Sequence, residues 1–120
     1  MISTKVVNGL IIVTVSGEIT AKEMLKAVSD YLASHGSLKA LWDFSGAQKV
    51  EVTTNDLRNF AAELKTHFKD TRGRKVALAG SGNINIGLGR LFTVFAAFAG
   101  LPNEYKVFRK VEHAIKWLQG

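Results

Sequence analysis

The side chains that could do chemistry in this 120-residue chain are few and scattered. There is no cysteine, which removes thiol nucleophiles, disulfides and cysteine-based metal sites. His35, His67 and His113 fall at separate predicted helix ends or surfaces. No pair has i, i+4 spacing and none neighbours a carboxylate in a ligand pattern, so no metal site is expected. Ser45 lacks the Gly-x-Ser-x-Gly surround of a nucleophile elbow. Asp43, two residues earlier, reads as a strand-end acceptor for loop N–H groups. Gly80-Ser81-Gly82 precedes a helix, yet Gly87 is followed by Leu88 and not by the Lys-Ser/Thr of a Walker loop. A dinucleotide fingerprint would place glycine where Asn85 stands, so a tight turn is the reading there. Thr53 and Thr54 stand before a helix, where a phosphate would meet backbone N–H groups and a favourable dipole. Plain helix capping explains either threonine equally well and is the reading adopted. No catalytic constellation emerges, so the chain is expected not to be an enzyme and to carry no cofactor.

Composition narrows the class further. Apolar residues make up 47% and charged residues 22%, as in an ordinary folded domain, here one domain over residues 1–120. The net charge is +6, which raises the prospect of an anionic partner. The densest basic stretch is Lys65, Lys69, Arg72, Arg74 and Lys75, with Asp70 the lone acid among them. Cations suit a helix C-terminus, and no aromatic residues are interleaved to stack bases, so no nucleic acid is expected. The chain opens MISTKVV, without a basic segment followed by an apolar one, so a cytoplasmic location is expected. The longest apolar run, Leu91 to Leu101, is about half of the roughly 20 residues a membrane span needs, so no transmembrane segment is expected.

The elements that must position these residues follow from pattern. Two β-rich runs, 2–7 and 10–15, flank Asn8-Gly9, a strong hairpin signal because both turn residues need positive φ. Gly17 is expected to end the second strand. Thr20 and Glu23 form a capping box for a helix carrying Met24, Leu25, Val28, Tyr31 and Leu32 on one face and stopped by Gly36. Lys39–Phe44 is the next strand, with Ala40, Trp42 and Phe44 on one face and Leu41 and Asp43 on the other. Ser45-Gly46 is expected to turn the chain into a loop. A helix then starts near Thr53 or Thr54 and buries Leu57, Phe60, Ala61, Leu64 and Phe68. Gly73 sits in the following turn. Lys75–Ala79 is an unalternating interior strand, as expected when both faces are covered. A helix from about Asn85 to Ala99 is ended by Gly100 and Pro102, a strand follows at Tyr105–Arg109, and a last helix at Glu112–Gln119. Strands alternating with helices imply parallel pairing through right-handed crossovers, with the opening hairpin adding one antiparallel neighbour. The expected fold is α/β: a mixed sheet of about five strands with about four helices.

That order, together with Trp42-Asp43-Phe44-Ser45-Gly46, resembles the STAS domain of the sporulation anti-sigma-factor antagonist SpoIIAA. The C-terminal half is similar to the SpoIIAA-like, or STAS/SEC14-like, bacterial proteins, through Gly87-Leu88-Gly89-Arg90, Val107-Phe108 and Ala114-Ile115-Lys116-Trp117-Leu118. The resemblance spans essentially the whole chain. It implies helices wound in a βα superhelix and a non-enzymatic role through protein partners or a bound apolar molecule. The antagonists carry Asp-Ser-Ser-Gly-Leu with a phosphorylated serine at the helix start. This chain has Val52-Thr53-Thr54-Asn55-Asp56-Leu57 there, so the switch serine is missing.

The helix 85–99 is apolar nearly all round. Leu88, Leu91, Phe92, Phe95 and Phe98 crowd it, with Arg90 among them. The expectation is a protein-binding or regulatory module. It would present Ser45, Thr53, Thr54, Arg90, Leu91, Phe92, Phe95 and Phe98 to a protein partner or to a second copy in a homodimer. The alternative is a small apolar or acyl-chain ligand beside Phe92 and Phe95, with Arg90 on its anionic head.

Overall fold

The computed structural model describes residues 1–27, 30, 39–67, 75–80, 83–98 and 104–120, without the side chains of 64–67, 83–86, 95, 96 and 98. The order is β1 (Ile2–Val7), β2 (Leu10–Thr20), α1 (Ala21–Ala27), β3 (Lys39–Glu51), α2 (Thr54–His67), β4 (Lys75–Ala79), α3 (Asn83–Phe98), β5 (Glu104–Phe108) and α4 (Val111–Gln119). Among the described residues the five strands form one sheet in the order β1-β2-β3-β4-β5, antiparallel at β1–β2 and parallel elsewhere. This is the mixed α/β architecture expected from the sequence.

Sequential order decides where the helices go. Each right-handed crossover steps the same way across the sheet, so α1, α2 and α3 share one face. There Ile11, Val13, Val15, Ala40, Trp42, Phe44, Val76 and Leu78 meet Met24, Ala27, Leu57, Phe60, Ala61 and Phe92. Among the described residues α4 alone covers the other face, setting Ala114 and Leu118 on Leu10, Leu41, Ala77 and Ala79. β4 is buried from Val76 to Ala79 because helices lie on both its sides, which explains its lack of alternation.

The local signals behave as their chemistry requires. Asn8 and Gly9 take φ of 49° and 79°, the left-handed pair that a two-residue hairpin needs. The Glu23 N–H donates to Thr20 Oγ1 at 3.4 Å, as in a capping box.

Two expectations are corrected. β2 does not end at Gly17, and Ser45-Gly46 does not turn the chain. Instead Ser16–Thr20 and Gly46–Glu51 continue the parallel pairing as a two-stranded ribbon beyond the end of β4. The register shifts twice, between Thr14 and Ser16 and between Gly17 and Glu18, each time absorbing one extra residue of β3. Gly17, at φ 68°, supplies the backbone conformation that the second shift borders. The turn-forming residues therefore serve as bulges. α3 starts at Asn83, two residues earlier than expected, and β5 at Glu104.

Val28, Tyr31, Leu32, His35, Gly36, Phe68, Lys69, Asp70, Arg72, Gly73, Arg74, Ser81, Gly82, Ala99, Gly100 and Pro102 lie outside the described residues. So do the side chains of Leu64, Lys65, His67, Phe95 and Phe98.

Candidate functional site

The middle of β3, at its first bulge, and the start of α2 hold Ser45, Thr53 and Thr54, three of the expected residues. Asp43 Oδ1 accepts the Ser45 N–H at 2.9 Å and also the Ser45 hydroxyl. Asp43 is the acceptor for a following N–H that the sequence suggests, but it stands in mid-strand at the first bulge and not at a strand end. Among the described residues no imidazole contacts the pair, since His113 stands exposed on α4.

Thr53 is the helix cap. The Asp56 N–H donates to Thr53 Oγ1 at 3.1 Å and the Thr53 N–H donates to Asp56 Oδ2 at 2.9 Å, a reciprocal capping box with Asp in place of Glu. Thr54 is the first helical residue and is exposed. The α2 start therefore already carries an oxygen cap and a carboxylate. Asp56 would repel a phosphate there.

α3 has two distinct sides. Phe92 is 4% exposed and belongs to the core, between Phe60 at 5.3 Å and Tyr105 at 5.6 Å, both edge-to-face. Phe60 meets Trp42 at 5.9 Å, and Trp42 stacks on Phe44 at 6.1 Å. An unbroken chain of rings thus fills the space beside Phe92. Leu88 and Leu91 are half-buried against this core. Val94, about 160° round the helix from Phe92, is 62% exposed. Gly87, Arg90 and Ala97 are exposed with it at helical spacing, so these four form the outer stripe. The structure thus puts Arg90 and Phe92 on opposite sides of α3. It leaves Ser45 in the middle of β3 and Thr53 at the start of α2.

Gly89, not Gly87, is the glycine that packing requires. It is buried, and a Cβ there would lie 3.3 Å from Val107 Cγ2 and 3.7 Å from Leu78 Cβ. At Gly87 nothing stands within 4 Å.

A second cluster went unread in the sequence. At the C-terminal end of α4, Lys39 Nζ donates to the Leu118 carbonyl at 2.6 Å and Lys75 Nζ to the Trp117 carbonyl at 3.4 Å. Lys75 Nζ also stands 5.2 Å from the Trp117 ring centre, and Lys106 Nζ 5.9 Å from it. Three strands contribute these lysines, and no sequence spacing joins them.

Among the described residues, a mixed sheet in sequential order with three helices on one face and one on the other is the arrangement of a STAS-type α/β domain. The chain belongs to the SpoIIAA-like family, whose model matches residues 10–119. Among solved structures it is similar to an uncharacterized protein of the DUF3478 family with a SpoIIAA-like fold from Shewanella loihica PV-4. The identity is 20%, the match covers 98% of this chain and 92% of that one, and the TM-score is 0.61, a likeness of fold. No curated protein matches the chain. Among the described residues no helix is long and apolar enough to cross a membrane.

Proposed function

We propose that this protein is a non-enzymatic regulatory module of the cytoplasm that binds a protein partner, a second copy of itself included. The binding surface comprises the β3 bulge at Ser45, the α2 start at Thr53 and Thr54, and the outer stripe of α3 with Arg90 and Val94, flanked by the half-buried Leu91. Membership of the SpoIIAA-like family supports the reading. The observation that carries it is Val94, a large apolar side chain 62% exposed in the middle of a stripe whose neighbours Gly87 and Ala97 let another backbone approach closely.

The apolar-ligand alternative is less favoured. Its space beside Phe92 is occupied by Phe60 and Tyr105, and Arg90 stands across the helix from it. Light scattering on the wild type and Val94→Asp tests the partner reading. A dimer, or a complex with a purified partner, that the substitution dissociates at unchanged melting temperature supports it. A wild type that associates with nothing contradicts it.

A further inference from the structure

We propose that the C-terminal end of α4, where Lys39, Lys75 and Lys106 gather round Trp117, is a docking surface for an acidic protein segment. It lies on the face of the sheet opposite α3, and nothing in the preceding reading is needed for it.

Charge carries the argument. Parallel register sets Lys39 and Lys75 side by side, because Ala40 pairs with Val76, and Lys106 follows two residues beyond the partner of Lys75. All three point to the face that α4 covers, as do Leu41, Ala77 and Phe108. Among the described residues, no carboxylate forms an ion pair with any of them. Glu104, beside Lys75 in register, remains unpaired with it. The helix end itself offers only about half a negative charge, and Lys39 and Lys75 already use its carbonyls. Lys106 Nζ lies over the rings of Phe108, at 5.5 Å, and Trp117. Among the described residues no ion pair therefore offsets the positive charge at this spot, and Lys116 stands one residue before Trp117.

The aromatic pair decides which anion. Trp117 is half-buried, 5.7 Å from Phe108, and both its lysine neighbours approach the ring. Bases need a free aromatic face for stacking, and this indole is flanked. Insertion among acyl chains needs a projecting ring, and this one is held against Phe108. A partly covered Trp in a rim of lysines is the arrangement of a protein interface with an aromatic anchor and charged surround. Complementary carboxylates would set its on-rate and its salt dependence.

The test uses the full chain labelled with 15N and titrated with a hexaglutamate peptide, with single-stranded oligothymidylate and phosphatidylserine vesicles as parallel arms. The Trp117 indole N–H signal is expected to shift with the peptide, and added salt to reverse the shift. Lys106→Glu, at an exposed position that holds no helix carbonyl, should weaken binding by about tenfold. Lys106→Gln should fall between, and Trp42, buried on the other face, should not shift. A Trp117 signal unmoved by peptide, or moved equally in Lys106→Glu, overturns the proposal. So does tighter binding of the oligonucleotide or the vesicles at the same residues.

Discussion

The Lys39 ammonium donates to the carbonyl of Leu118 at 2.6 Å, joining two residues 79 apart in sequence. The contact ties the start of β3 to the end of α4, where unsatisfied carbonyls and the negative helix end favour a cation. Lys39→Met keeps most of the aliphatic stem and removes the donor. It should lower stability by about 1.5–3 kcal/mol, the usual worth of a hydrogen bond from a charged group. Urea unfolding of the two proteins measures it. An unchanged midpoint would mean that water replaces the ammonium at no cost.

Thr53 and Thr54 should separate cleanly. Thr53→Ala removes the oxygen that accepts the Asp56 N–H and should cost about 1 kcal/mol. Thr54→Glu places a negative charge in the first turn, where the dipole favours it, and should leave stability unchanged or slightly raised. Thermal unfolding of both variants checks the assignment. Equal losses at the two positions would contradict a cap at Thr53.

The two glycines of α3 should respond in opposite senses. Gly87 sits in open space on the exposed side, so Gly87→Ala should stabilise by about 0.5–1 kcal/mol through helix propensity alone. Gly89 faces Val107 and Leu78, so Gly89→Val should overpack that contact and cost about 1–3 kcal/mol. Melting temperatures moving the same way in both would show that α3 does not pack closely at Gly89.

The hairpin offers a backbone test. Gly9→Ala forces a Cβ into positive φ, and Asn8→Ala removes the amide side chain that favours the left-handed region; each should cost about 1 kcal/mol. Denaturant midpoints identical to wild type would exclude the left-handed turn.

Much of this architecture is legible in the chain, and the limits have physical causes. Asn8-Gly9, the Thr20–Glu23 box and the apolar run of β4 are local signals, each set by the conformation of adjacent residues. The ribbon of Ser16–Thr20 with Gly46–Glu51 was not legible, because Gly17 and Ser45-Gly46 carry turn chemistry whichever use the fold makes of it. Only the pairing across two strands turns them into bulges. At the site, Asp43 and Thr53 were readable, since their partners lie within three residues. Phe92 could not be told from an outward-facing residue on a helix so uniformly apolar. Its burial depends on Phe60 and Tyr105, which the sheet brings to it. The lysines around Trp117 come from three strands and have no local signature at all.

Native mass spectrometry of freshly purified protein, wild type beside Val94→Asp, tests the central claim most directly, because it reads association and small-molecule cargo together. A protein-binding module using the outer stripe of α3 predicts a wild-type dimer or protein complex without small-molecule mass, and a monomeric Val94→Asp. A wild-type monomer carrying an apolar small molecule, retained when Val94 becomes Asp, would contradict the account.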